Sequence, residues 1–395
     1  MRIAQISDLH VRDDRLEGDL GQAKILNRTA DDVARSKPDL VLVPGDLSGN
    51  TVPHKGTPRE RNAIVDFLGK LADVAPTVVV AGNHDFPGDW SFLNSIRSKC
   101  GLYYVEEEPE TIGFPDFAVL ALPWVFKSRF PREADYAAAT SRLYAEAIDA
   151  AVEDFGGKVP LFLAAHTALR GAKFAEGQPA ITHDEPIVSP DVLCREDVFA
   201  CGVFGHYHFP QTIRTQAFGY PGSLFVGSYG EEPTKGWVLY DTVSKVREFK
   251  RISQAARLTL ELDPVRGEIR DLRPHVLGEE FGFADLLAWV ASNPSHVKIS
   301  TRFSEDEIGT AKIRTEEVRA KLAEVALSVF VAPPEVDRTT RVREGAVEVA
   351  AETTLEAKLD RAWDSTDPSP TKAVRKRALA LLEEISTEFD GGRGA

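Results

Sequence analysis

Long apolar runs are missing: nowhere do the 395 residues supply the ~18 consecutive apolar side chains that a membrane-spanning helix needs. The first residues, MRIAQISDLH, alternate and then turn polar. They read as a strand, not as the basic head and apolar body of a signal peptide. Cysteine is scarce. Cys100, Cys194 and Cys201 form no CxxC pair, which argues against a disulfide framework and a thiolate zinc site and fits reduced residues of a cytoplasmic protein. Positive charge is short as well: 47 Lys and Arg face 61 Asp and Glu, for a net charge of −14. Strong nonspecific binding of nucleic acid comes from clustered Lys and Arg that displace counterions. A chain this acidic therefore needs a local basic groove, or a partner that supplies the grip. There is no internal repeat and no long low-complexity tract.

What is present is ordinary soluble chain. The apolar share of 43% and charged share of 27% are those of a globular protein, and the length suits about two domains of ~100–200 residues each. Up to about residue 165 one rhythm recurs, of apolar strand, polar turn and amphipathic helix. Residues 3–6, 39–43 (DLVLV), 77–81 (TVVVA), 117–122 and 161–165 read as strands, with helices near 20–36, 58–73 and 133–154. Strands so short and apolar are buried on both faces, so an α/β layered fold is expected. After Val198 the pattern changes to strands joined by turns, which predicts a second sheet packed on the first. A boundary is expected near residues 253–256. Beyond it, strands at 258–262, 297–303 and 329–332 and helices at 283–291 and 315–326 would make a small α+β domain.

The chemically informative residues fall where strands end. Asp8-Leu9-His10 follows the first strand, Gly45-Asp46 the second, and Gly82-Asn83-His84-Asp85 the third. His166 follows residues 161–165, and Gly205-His206-Tyr207-His208 follows a strand near 199–204. Ligands bind outside the carboxyl ends of strands in open α/β sheets, so five stretches deliver Asp, Asn and His to one edge. Each has a bland reading. Asp-x-His alone is usually a surface pair, Gly-Asp after a strand is commonly a turn, and a lone His166 is better read as a satisfied buried histidine. GHYH is stronger, because alternate residues on a strand share a face, and GNHD directly after an apolar strand is stronger still. The five together, in this order, leave coincidence remote. Four of the nine histidines lie outside the motifs: His54, His183, His275 and His296. Carboxylate oxygen mixed with imidazole nitrogen favours Mn, Fe or Zn, where an all-oxygen set would favour Mg or Ca. A central carboxylate, Asp46, can bridge two ions. Two ions ~3.5–4 Å apart can acidify a shared water and clamp the oxygens of an in-line displacement at phosphorus.

The series DLH, GD, GNHD, H and GHYH resembles the calcineurin-like metallophosphoesterase superfamily over about residues 1–210. A narrower resemblance follows. Tyr220-Pro221-Gly222-Ser223, then Tyr229-Gly230-Glu231-Glu232 and Lys235-Gly236-Trp237-Val238-Leu239, are similar to the YPGS…GE…KGF stretch of the SbcD-type DNA repair nucleases and their archaeal and eukaryotic counterparts. The resemblance implies a four-layer α/β/β/α sandwich in residues 1–255, a small α+β capping domain in 256–347 and C-terminal helices in 348–395. Asp8, His10 and His208 would hold one ion, Asn83, His166 and His206 the other, and Asp46 would bridge them. His84 would face the scissile phosphate without binding metal, and Asp85 would orient its neighbours. The expected cofactors are two Mn²⁺, with Mg²⁺ or another divalent ion as substitutes. The expected partners are DNA, an SbcC-type coiled-coil ATPase and a second copy of the chain. The activity implied is that of an Mn-dependent exonuclease, with endonuclease activity as an extension, in double-strand break repair or recombination.

One departure stands out: relatives often carry Asp or His about three residues after the bridging Asp, where this chain has Gly49. His54 could take over through a longer loop, or be an ordinary exposed histidine. The same ligands serve calcineurin-like enzymes acting on small phosphorylated substrates, so a small-substrate phosphodiesterase or phosphatase is the alternative. A noncatalytic scaffold is disfavoured by the intact ligand set. The apolar residues Ile64, Phe67, Leu68 and Leu71, at helical spacing, and the segment near 90–96 are candidates for self-association, unless they simply face their own sheet. Leu355, Leu359, Ala362 and Trp363 define one C-terminal stripe and Val374, Ala378, Leu381 and Ile385 another. Either they fold back on the capping domain, or they grip another helix, as docking on the ATPase would require.

Overall fold

The computed structural model describes residues 1–17, 21–49, 52, 54–132, 134–175, 178, 185–229, 231, 234–273, 282–337 and 374–377. The chain divides into two compact units, one of residues 1–302 and 309–335, the other of 303–308 and 336–395.

The first unit is built on two six-stranded sheets. The first runs Val246–Arg251, Gly236–Asp241, Arg2–Gln5, Leu40–Pro44, Thr77–Val80 and Leu102–Val105. The second runs Gln211–Ile213, Thr215–Tyr220, Phe199–Gly205, Leu161–His166, Ala118–Leu122 and Glu110–Gly113. The strand Leu40–Pro44 shows why they stack. All five residues are buried. Leu40 and Leu42 meet Val78, Val80 and the apolar residues of the second sheet, whereas Val41 and Val43 face helices. Alternating side chains point to opposite faces, so an unbroken apolar strand calls for cover on both. Gln22–Ser36 supplies part of that cover with Ile25, Leu26, Ala30 and Val33. Pro58–Ala72 supplies more, opened by a capping box between Thr57 and Glu60. On the far side Tyr136–Phe155 lays Tyr144, Ile148 and Ala151 on the second sheet. The result is the expected α/β/β/α sandwich.

The assignment of strands to sheets differs from expectation. Ala118–Leu122 and Leu161–His166 join the second sheet, while Gly236–Asp241 returns to the first, antiparallel to Arg2–Gln5. Ala118–Leu122 and Leu161–His166 are parallel neighbours. Parallel neighbours need a crossover connection, and Tyr136–Phe155 provides it, so the helix and both strands move together as one βαβ unit. The stripe Ile64, Phe67, Leu68 and Leu71 is buried under the first sheet and so is not a free face for self-association.

A third sheet, Glu268–Arg273, Ala256–Asp263, Ser295–Ser304 and Ser328–Val331, carries the helices Phe283–Ser292 and Ile308–Ala323. Its own core joins Leu258, Leu260, Val297 and Ile299 to Leu286, Val290, Val318 and Leu322. The division at residues 255 and 347 into nuclease, capping and docking domains stays a proposal. In the second unit, Ser304 caps the turn Glu305–Glu307, and residues 374–377 are helical. The other residues of both C-terminal stripes lie outside the described residues, as do His183 and His275. No helix among the described residues is long and apolar enough to cross a membrane.

Candidate metal centre

All five motifs meet at one edge of the paired sheets. The loops after Arg2–Gln5 and Leu40–Pro44 run side by side, with the amides of Asp8 and His10 donating to the carbonyls of Gly45 and Asp46. This places Asp8, His10 and Asp46 in the left-handed region, with φ of 52°, 40° and 54°, and His206 is at 106°. Such conformations cost on the order of 1–3 kcal/mol each and gather at functional sites. GHYH reaches the site differently from the sequence reading. The strand ends at Gly205, so His206 and His208 lie in a loop, and the bend at His206 rather than the pleat turns both rings inward. Gly205 is required by close approach: a Cβ there would sit 1.8 Å from the carbonyl oxygen of Pro44.

The donor atoms fall into two groups. In the first, His10 Nε2 and His208 Nε2 are 3.0 Å apart, and Asp8 lies with them, their ligand atoms all within 4.8 Å of one another. In the second, Asn83 Oδ1 is 3.0 Å from His166 Nε2 and 3.1 Å from His206 Nδ1. Asp46 lies between, with Oδ2 3.4 Å from His10 Nε2 and Oδ1 3.6 Å from His166 Nε2. Asp8 Oδ1 accepts from the His206 amide, but Oδ2 is buried with no partner. An unsatisfied buried acceptor costs ~1–3 kcal/mol, more when charged. An orphaned carboxylate oxygen, two imidazole nitrogens aimed at each other and a carboxylate between both groups fit divalent cations.

The electrostatics agree. Burial pushes the His10 and His166 imidazoles down, against the pull of Asp46. Burial alone would raise the Asp46 carboxyl; His166, His84 and His10 reverse this and hold it well below the usual carboxylate range. Asp85 goes the other way, to about 7, through burial and then the charge of Asp46. Its two oxygens accept from the amides of Leu47 and Gly82, both at 2.9 Å, so it ties the GD loop to the GNHD loop. The His84 amide donates to Asp46 Oδ1 at 2.8 Å. Its ring stands edge-on to His10, centroids 4.8 Å apart, on the wall of a cavity of about 390 Å³ that also holds His10, Asp46, Asn83, His206 and His208.

Residues 1–210 match the family model described as Calcineurin-like phosphoesterase. The chain belongs to that family. This phosphoesterase is also similar to two proteins named as the SbcD subunit of the nuclease SbcCD. The Staphylococcus saprophyticus protein is 22% identical over 56% of this chain and 59% of its own length. The Staphylococcus epidermidis protein is 21% identical over 64% of this chain and 68% of its own length. These similarities support a place among the SbcD-type members. The match thus spans less than two thirds of the first of them. A Thermus thermophilus protein of known crystal structure aligns with 63% of this chain and 98% of its own, at 15% identity and a TM-score of 0.40.

Several residues around the phosphoesterase site had no role assigned from sequence. Trp124 packs its ring on His206 and His166, centroids 5.0 and 5.9 Å away. Gln178 donates to the His206 carbonyl and accepts from the His208 amide. Glu185 Oε2 is 3.3 Å from His206 Nε2. Glu231 Oε1 is 3.4 Å from His208 Nδ1. Burial alone would raise the Glu231 carboxyl, but His208 and Lys235 hold it at about 2. Its other oxygen accepts from the amides of Gly227 and Ser228. Lys235 is buried beside it and also bonds Ser223 Oγ and the His208 carbonyl. The YPGS–KGW stretch is therefore a wall of the site, and the available signal was that stretch itself. His54 stays outside the cluster. It is exposed, and its Nδ1 is 2.5 Å from Asp89 Oδ1. Gly49 lines the cavity, against the side chain of Arg12.

Proposed function

We propose that the chain is an Mn-dependent DNA nuclease, primarily an exonuclease, in which Asp8, His10 and His208 hold one divalent ion, Asn83, His166 and His206 hold a second, and Asp46 joins them. The observation that carries this reading is the position of Asp46, whose two oxygens face the histidines of the two groups separately. Cations so held supply Lewis acidity to a phosphodiester and acidify water. The chain's own residues do the rest. The Pro44 carbonyl fixes His166 through Nδ1 at 2.8 Å, and Glu231 takes Nδ1 of His208, so the Nε2 atoms of both rings face inward. His84 meets the phosphate from the cavity wall and gives its proton to the leaving oxygen.

DNA as substrate is supported by the similarity to proteins named as SbcCD nuclease components and by the YPGS–KGW stretch. Ser7 Oγ donates to the Gly222 carbonyl, and the Leu224 amide donates to the Asp8 carbonyl, so that stretch is laid directly along the first motif. An SbcC-type ATPase docking on residues 348–395 and a homodimer belong to the same reading. The test is cleavage of a linear DNA duplex with Mn²⁺, with and without EDTA, beside a phosphomonoester. EDTA-sensitive degradation of DNA is expected. Hydrolysis of the monoester with the duplex intact would favour the small-substrate alternative, and no turnover of either would favour a scaffold.

A further inference from the structure

Outside the metal cluster, two arginines line a second cavity whose two carboxylates are paired with other arginines. Arg15 lies on the wall of the metal-centre cavity and also of a neighbouring cavity of about 530 Å³. The far wall of the second cavity is formed where two inner strands of the third sheet begin. There Arg257 and His296 sit opposite each other in the parallel pairing of Ala256–Asp263 with Ser295–Ser304. Two carboxylates also line it, but both are engaged: Asp14 pairs with Arg12, and Glu17 with Arg59. Among the described residues, Arg15 and Arg257 form no ion pair. Arg15 is held by the Gly227 carbonyl at 2.8 Å, and Arg257 lies over the Tyr229 ring, 5.5 Å from its centroid. Their mutual effect is visible. Burial, then Arg257, then Arg12 bring Arg15 down to about 10, and burial followed by Arg257 and Arg15 brings His296 down to about 4.

In a chain of net charge −14, two half-buried guanidinium groups lining one cavity, whose carboxylates Asp14 and Glu17 pair with other arginines, are costly in isolation. Held in place by a carbonyl and an aromatic face, they have fork-like donors left over for an oxyanion. Because Arg15 borders both cavities, an anion there is a neighbour of the group reacting at the metal centre.

We propose that Arg15 and Arg257 form a subsite for a backbone phosphate of a polynucleotide strand, flanking the phosphodiester that is cleaved. This rests on the nuclease reading and adds to it which surface carries the strand: it leaves the metal centre past Arg15 and passes the starts of the inner strands of the third sheet, at Arg257. The two guanidinium groups come from separate parts of the chain, Arg15 from the turn after the first motif and Arg257 from the third sheet.

The experiment compares wild type, Arg257→Gln and Arg257→Lys, since Arg257 lies outside the metal-centre cavity. Two substrates are used with Mn²⁺: bis(p-nitrophenyl) phosphate, which has one phosphodiester and no flanking phosphate, and a single-stranded oligonucleotide. Binding of the labelled oligonucleotide in EDTA is measured against salt. Arg257→Gln should lower kcat/KM on the oligonucleotide at least ~10-fold, the loss of one charge-assisted contact, and leave the small diester unchanged. The slope of log affinity against log salt should fall by about 0.7, the value for one contact on a single strand. Arg257→Lys should restore the slope and part of the rate. An unchanged oligonucleotide rate, or equal losses on both substrates, would overturn the subsite. If wild type hydrolyses only the small diester, the nuclease reading fails instead. Thermal protection by inorganic phosphate then reads the subsite alone, and equal protection of wild type and Arg257→Gln overturns it.

Discussion

The two halves of the metal cluster use similar donors on unlike supports. His166 is fully buried, its Nδ1 fixed by the Pro44 carbonyl, and Trp124 covers its ring together with that of His206. His10 and His208 are partly open to the cavity, and His208 is held by the carboxylate of Glu231, itself gripped by Lys235. One half is braced by the backbone of a strand end, one indole and a partly exposed carboxylate, Glu185, beside His206. The other is braced by a buried ion pair borrowed from a segment 23–27 positions downstream of the histidine it supports. A backbone carbonyl cannot titrate or be mutated away, whereas an ion pair can be. The halves should therefore differ in how they fail.

The largest effect should come from the group that belongs to both. Asp46→Asn keeps an acceptor for the His84 amide but loses the charge facing His10 and His166. Removing residues that merely support a ligand costs ~10–100-fold in metal affinity or activity, so this change should cost more and affect both ions. Metal analysis that finds two tightly held ions per chain would end the comparison, because the halves would not share a bridge. Next comes His84→Gln. It should leave metal content as in wild type and reduce turnover by ~10²–10⁴-fold, the range for a lost general acid. A drop in bound metal would instead make His84 a ligand, with His10 and Asp46.

Glu231→Gln should separate the halves. It leaves the Pro44–His166 contact untouched, so calorimetric titration of the metal-free protein should show one site weakened by ~10–100-fold and one unchanged. Uniform weakening of both would mean that the supports are not independent. The smallest effect is on acid stability. Glu231 titrates lower in the folded chain, at about 2, than when unfolded. Its contribution is thus complete above the unfolded pKa of ~4.3 and is lost as the pH falls toward 2. For this buried group that is roughly 3 kcal/mol. Urea midpoints in EDTA should therefore fall more steeply between pH 4.5 and 2 for wild type than for Glu231→Gln. Parallel curves would show that the ion pair contributes nothing there.

Much of this site could be read without coordinates, for a local reason. Asp8, Asp46, Asn83 and His166 follow apolar strands, and strand ends in layered sheets converge. Apolar runs also marked the buried strands within a residue or two, as at Thr77–Val80 and Ala118–Leu122. What stayed hidden depends on partners distant in sequence. Trp124 and Glu185 carry no motif, and nothing short of the fold puts them on His206. Glu231 and Lys235 were visible as a resemblance, but their bond to His208 was not. The edge strands Leu102–Val105, Glu110–Gly113 and Glu268–Arg273 went unread because they are short or charged. The helix Ile308–Ala323 begins seven residues before the expected 315, with Gly309 and Thr310 diluting its first turn. The partition of strands between sheets is set by crossover geometry, which periodicity does not encode.

The opening strand has a consequence during synthesis. Arg2–Gln5 is not an edge: it sits between Leu40–Pro44 and Gly236–Asp241. A ribosome must add roughly 230 further residues before the second neighbour emerges, roughly 10–50 s at ordinary translation rates. Throughout that interval the first sheet has an open side, and for most of it Asp8 and His10 stand at its end without His208. Until Gly236–Asp241 is made, the nascent chain thus holds an incomplete sheet, the form most exposed to wrong pairing. The last turns of the catalytic half close the sheet and the site in the same event.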